Sequence, residues 1–239
     1  MFQSKNTTLS FEGSDLRCLV LRSNEVKSWR TITLPTDILN QGIIHNPDQV
    51  GKIIQKILKS LQGNKRKLIS TITDQRMVHR IISIPDVRES LLEETVRRKA
   101  RQEFAIPMEE TDLSWRIIRK INNQIILFVL AIPKTIIDQQ VSALKTAGIR
   151  PKILDAKPLA IIRSGSRSTG LFVNLESQSM SVIIQVNQIP VIVRTIPLEA
   201  EEISPEARLD LLSQELARTV KYYNESNKKN RLPDDTPLF

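Results

Sequence analysis

Arg30-Thr31-Ile32 stands again as Arg194-Thr195-Ile196, 164 positions further along, and the same shift lays Ser10 on Asn174, Glu12 on Glu176 and Leu16 on Met180. Chance supplies one short match of this kind. Here the surroundings repeat as well. Residues 8–11, 16–21 and 26–34 read as three strands, the last alternating through Val26, Trp29, Thr31 and Thr33, with a turn at Ser23-Asn24. Residues 170–175, 180–186 and 190–198 read as a second set in the same order. Each set leads into a helix with a clear start: Asn46-Pro47 with Gln49 at the capping-box position, and Ser204-Pro205. The first helix presents Val50, Ile53, Ile54, Ile57, Leu58 and Leu61 and closes at Gly63. The second presents Leu209, Leu212, Leu216, Val220 and Tyr223. The reading is an internal duplication of an α/β unit.

The section between the copies is built differently. A basic turn at 64–67 leads to a strand at 68–73, and another strand at 77–84 stops at Pro85. Asp86 with Glu89 forms a capping box for a helix that buries Leu92, Val96, Ala100 and Phe104, and Pro107 ends it. Strands at 113–119 and 124–132 join at Asn122-Asn123, and a helix over 135–147 carries Ile137, Val141 and Leu144 to Gly148. Ile153-Leu154 reads as a short strand and the polar stretch 164–169 as a hinge. The expected organisation is a first half at 1–75, an inserted α+β subdomain at 76–155 and a second half at 156–239.

Composition narrows the function classes. At 239 residues and 40% apolar content the chain can bury a sizeable core in one or two domains. One cysteine, Cys18, excludes an internal disulfide framework and a cysteine-built zinc site, and two histidines, His45 and His79, offer little for a metal centre. The longest strongly apolar uncharged run, 121–133, is short of the roughly 20 residues a membrane helix needs, and no signal peptide opens the chain, so a cytoplasmic protein is expected. The net charge of +9 invites nucleic acid or an anionic membrane as partner. Yet the cluster Arg97, Arg98, Lys99 and Arg101 follows Glu93 and Glu94 at helix-pair spacing, the pattern of a solvated face. Aromatic residues are 4% and are not interleaved with the basic ones, which disfavours nucleic acid.

A strand–turn–strand–strand–helix unit repeated around an insert resembles the actin-like, ribonuclease H-like ATPase superfamily. Within the insert, Ile84-Pro85-Asp86, the helix with Arg97 to Glu103, and Phe104-Ala105-Ile106-Pro107-Met108-Glu109-Glu110 resemble the PilM family of type IV pilus assembly, to which the division protein FtsA is more distantly related. Ala131-Ile132-Pro133-Lys134, Ala147-Gly148, Pro151-Lys152-Ile153-Leu154-Asp155 and Pro158-Leu159-Ala160 continue the likeness. The resemblance implies a cytoplasmic scaffold of a pilus or type II secretion-like platform, peripheral to the inner membrane. It also implies a partner: the tail of a PilN-like inner-membrane protein, held between the first half and the insert by groove residues that no motif here marks. Other platform components and a homodimer are compatible with it. The alternative is an ATP-binding protein whose nucleotide state regulates assembly.

The resemblance also shows departures. Relatives begin each half with an Asp-x-Gly phosphate loop, whose aspartate holds Mg²⁺ and whose glycine lets backbone N–H groups approach phosphate. The matching positions here are Ser10-Phe11-Glu12, followed by Gly13, and Asn174-Leu175-Glu176. A glutamate there brings bulk and charge; one repulsion at ~4 Å and an effective dielectric of about 20 is worth roughly 4 kcal/mol before salt screening, a factor of several hundred in affinity. The adenosine-holding segment of relatives has no counterpart after the polar linker 224–236 and Pro237-Leu238-Phe239, as in a chain cut short or a naturally reduced family member. Neither cofactor, metal nor catalytic residue is therefore expected. Glu12 and Glu176 are expected as solvent-facing loop residues rather than an acid/base pair. Cys18 is expected in the core, His79 on a sheet, Trp29 and Trp115 as anchors or interface residues.

Overall fold

A computed structural model describes residues 5–23, 25–73, 76–165, 167–176, 178–198 and 204–239. The duplication takes physical form in two separate sheets. In the first half, strands β1 (Lys5–Glu12), β2 (Asp15–Arg22) and β3 (Glu25–Thr33) form an antiparallel meander. A small hairpin, β4 (Leu39–Asn40) with β5 (Ile43–Ile44), leads to α1 (Pro47–Ser60). Strand β6 (Leu68–Ile72) then pairs parallel with β1. Asn46 caps α1 by accepting from the Gln49 N–H at 3.1 Å, as its sequence predicts. Its closure differs in detail: Gln62, not Gly63, takes the left-handed conformation (φ 52°), and the Gly63 N–H bonds the Leu58 carbonyl in a Schellman motif. The apolar faces of α1 and of β1 and β2 meet in a core built on Leu9, Phe11, Leu16, Ile54, Ile57 and Leu68.

The middle section forms its own sheet, in order β7 (Val78–Pro85), β9 (Gln124–Pro133), β8 (Thr111–Ile121), with α2 (Glu89–Glu103) packed on β7. The expected Asp86–Glu89 capping box is absent. Pro85 continues the strand, the Asp86 N–H bonds the Asn123 carbonyl, and its carboxylate accepts from Lys120, so α2 starts later, at Glu89, without a side-chain cap. Asn122 and Asn123 both take positive φ at the β8–β9 turn, which suits a tight hairpin.

Helix α3 (Lys134–Thr146) buries Ile136, Gln140, Ala143 and Leu144 rather than Ile137; Ala143, Leu144 and Ala147 join the first core. Strand β10 (Ile153–Ala156) then pairs parallel with β6, giving a five-stranded sheet of order β10-β6-β1-β2-β3. The chain divides into two compact units, residues 1–75 with 141–239 and residues 76–140. The expected insert boundary at 155 therefore lies beyond the smaller unit, because β10 satisfies its backbone on the first half's sheet.

A helix that the sequence reading passed over, α4 (Lys157–Ser164), follows at once, and the expected hinge begins only at its last residue. The second meander is β11 (Gly170–Leu175), β12 (Ser179–Val186) and β13 (Ile189–Pro197), followed by α5 (Pro205–Ser226). Shifted by 164, β2 and β3 fall on β12 and β13, and the register shift at Val20/Leu21 recurs at Ile184/Gln185. The last residues return to β11: the Leu171 N–H bonds the Pro237 carbonyl and the Phe239 N–H the Leu171 carbonyl, both at 2.9 Å. That parallel bridge of Leu171 with Leu238 stands where β1 pairs with β6 through Thr7 and Leu68.

Candidate functional site

Strands β1, β6 and β10 are parallel, so their carboxyl ends lie together, the place where open α/β sheets hold their ligands. Glu12 ends β1, Thr73 follows β6, and Lys157 follows β10 as the first residue of α4. From the second half, Glu176 follows β11, and Gln178 and Ser179 bring the chain into β12. Of the expected positions, Gly13 and Glu176 line one crevice, Asn174 bonds Glu176 and the Glu12 carboxylate feels the Glu176 charge, whereas Ser10 is bonded to Thr71. Gly13 has φ 56°, accepts from the Gly42 N–H through its carbonyl at 2.8 Å, and lies so close to Gln178 that a Cβ would stand 2.8 Å from Oε1.

The glutamates are not solvent-facing, contrary to the expectation. Glu12 is 6% and Glu176 7% exposed. The reason is a set of partners from distant segments. Lys157 Nζ donates to both Glu176 oxygens at 2.7 and 2.9 Å, Asn174 Nδ2 donates to Oε1 at 2.7 Å, and Ser179 Oγ donates to Oε2 at 3.2 Å. Glu12 is met by the half-exposed Arg17, 2.5 Å away. Burial pushes the Glu12 carboxyl above its ordinary range, the Glu176 charge adds to the rise, and Arg17 and Lys157 oppose it. A lysine at the first position of a helix opposes the helix dipole and calls for a facing carboxylate; Lys157 was not legible, because that signal follows only once α4 is recognised.

These residues do not fit Mg·ATP. The crevice lined by Gly13, Gln41, Thr73, Lys157, Glu176, Gln178 and Ser179 has no room for a water molecule. Its lysine is bound to Glu176, its carboxylates would oppose phosphate oxygens, and the Ser10 hydroxyl accepts from Thr71 at 3.0 Å. Among the described residues, no group of three His, Cys, Asp or Glu side chains is placed to hold a metal ion.

The other singled-out residues have structural settings. Cys18 is buried in the first core, which pushes its thiol up to about 11. His79 stacks on Phe128 in the smaller unit, where Trp115 packs against the core. Trp29 stands 68% exposed on β3, an edge strand. Tyr223 is buried on α5 and Tyr222 points outward. Arg97 pairs with Glu93 and Lys99 with Glu103, the i,i+4 pairs of a solvated helix face. Among the described residues, no helix is long and apolar enough to cross a membrane.

Comparison with known proteins places this arrangement. A solved PilM–PilN type IV pilus biogenesis complex matches with a TM-score of 0.70 and 21% identity, over 94% of this chain and 72% of that one. The cytoplasmic domain of EpsL, an inner-membrane component of the type II secretion system of Vibrio cholerae, matches with a TM-score of 0.62 and 14% identity, over 98% of this chain and 81% of that one. These likenesses show the actin-like fold. No curated protein matches the sequence. The family model described as type IV pilus assembly protein PilM matches residues 21–202, most of the chain. This chain belongs to the PilM family of type IV pilus assembly proteins.

Proposed function

We propose that this chain is a non-catalytic scaffold on the cytoplasmic side of the inner membrane, in a type IV pilus or type II secretion-like assembly platform. Its partner is the cytoplasmic tail of a PilN-like inner-membrane protein. The observation that carries the reading is the buried Lys157–Glu176 pair with Glu12 beside it, the two glutamates standing at the positions that the family resemblance matches to phosphate loops. An internal ion pair fills that role, so the halves need no nucleotide to bring them together. Family membership, and the PilM–PilN composition of the solved relative, support the partner. Peptide capture requires a sheet edge for backbone pairing and pockets for alternate side chains, and β3 offers such an edge with Trp29 exposed on it.

Two measurements test this. A pull-down with the cytoplasmic tail of the PilN-like protein should retain the chain, and no retention would remove the partner. A thermal-shift titration with Mg·ATP should leave the melting temperature unmoved. Ligand at a hundred times its dissociation constant would stabilise the fold by about 2.7 kcal/mol if a site existed. Such a shift would favour the ATP-regulated reading.

A further inference from the structure

The larger unit carries its charge at one pole, opposite the carboxylate crevice. Because β1, β6 and β10 are parallel, their amino ends lie together at that pole, and α1 and α3 run back to it. Lys65 Nζ reaches the Ala147 carbonyl at 2.7 Å and the Lys152 N–H bonds the Leu68 carbonyl at 3.1 Å, which joins the segments after α1 and after α3 in one surface. Lys52, Lys56 and Lys59 form an exposed stripe on α1. The turn after it adds Lys65, Arg66 and Lys67, and the second segment adds Lys145, Arg150 and Lys152. All but Lys65 are exposed, and its Nζ meets a neutral carbonyl. Residues 49–73 and 139–154 contain no Asp or Glu, and one flanking carboxylate, Asp48, accepts from Thr146 Oγ1 beside Lys145 at 3.1 Å. Taking these nine from the 35 Lys and Arg leaves 26, equal to the 26 Asp and Glu, so the pole accounts for the whole net charge of +9.

Helix dipoles explain little of this, since Lys59 and Lys145 alone of the nine sit in a last helical turn. Lys56, Lys59 and Lys65, with Gln55 and Gln62, rim an open depression of about 700 Å³. Seven of the nine are lysines, compact point charges without the planar fork that pairs bidentately with phosphate. Neither segment contains Phe, Tyr or Trp, so nothing there can stack on a base. We infer that this pole is a docking face for an anionic lipid surface, engaging its phosphate headgroups directly rather than through a partner protein. Several lysines held on one face within a Debye length of a bilayer act together, whereas the same lysines scattered over the chain would not.

The test is co-sedimentation of the full chain with phosphatidylcholine vesicles, with and without phosphatidylglycerol, and with no partner tail present. Binding is expected only with phosphatidylglycerol and should weaken as salt is raised. The triple variant Lys52→Gln, Lys56→Gln, Lys59→Gln should partition about a hundredfold more weakly. The loop variant Arg150→Gln, Lys152→Gln lies outside any helix and should lose about thirtyfold. No binding to anionic vesicles, binding that the loop variant leaves unchanged, or tighter binding to duplex DNA at the same salt would each overturn the proposal. Because the tail is absent, this outcome and that of the pull-down are independent.

Discussion

The two halves repeat one backbone and use it differently. Strands β2 and β12 occupy equivalent places down to the same register shift, yet β2 alternates between buried and open positions while β12 is buried at seven of its eight. The cause is what covers them: Ile183 packs with Ile162 of α4 and Ile184 with Tyr223 of α5, so both faces of β12 are occupied. The two glutamates differ in the same way. Glu12 is met by Arg17, which is 46% exposed at its side chain, whereas Glu176 is met by Lys157, 10% exposed, and by two further donors. The same residue at equivalent positions is thus a rim ion pair in one half and a buried network in the other. Burial decides how much each pair matters.

The comparison breaks most sharply at Lys157. Lys157→Met leaves Glu176 buried without its cation and should cost about 3 kcal/mol, lowering the melting temperature by about 6–12 °C. Adding Glu176→Gln should recover about 1–2 kcal/mol of that loss; a double variant no better than the single one would show that the pair is not a unit. Next comes Gly13→Ala. A non-glycine at φ 56° costs about 1–2 kcal/mol, and the new methyl must also displace Gln178 from the second half. Gln178→Ala in the same chain should relieve the displacement and leave the backbone cost, readable by urea unfolding.

Arg17→Ala should cost about 0.5 kcal/mol, because its guanidinium is half in water. A loss matching that of Lys157→Met would erase the distinction between the halves. The finest test is pH. The Glu12 carboxyl is raised in the fold, so the native state binds its proton more tightly than the unfolded chain does. Stability from this group is therefore present below the ordinary carboxylate value and is lost as pH rises through the raised one. Glu12→Gln removes the effect and should gain on the parent as pH goes from about 4 to about 7. A gain in the opposite direction would place Glu12 among the carboxylates stabilised by charge.

Much of the fold was legible because its signals are local. The Asn46 cap and the Asn122-Asn123 turn each act within a few residues, and the Arg30-Thr31-Ile32 repeat needs only the sequence laid against itself. Three elements were not. The Asp86 cap failed because Lys120 and the Asn123 carbonyl, both distant in sequence, claimed Asp86 first. Helix α4 was missed because its eight residues carry too little periodicity to stand out. The insert boundary depended on β10 choosing β6 as its partner, a pairing across some eighty residues.

The sequence by itself determined that the chain is duplicated, that it holds one cysteine and two histidines, and that Ser10, Glu12, Asn174 and Glu176 stand at the positions its family resemblance matches to phosphate loops. These are statements about residue identity and short-range periodicity. Only the tertiary structure decided that both glutamates are buried, that Lys157 lies 2.7 Å from Glu176, and that nine basic residues from two separate segments share one pole. The physical reason is common to all three. Desolvation and charge pairing act through distances of a few ångströms, and which side chains come that close is set by the parallel pairing of β1, β6 and β10, not by their order along the chain.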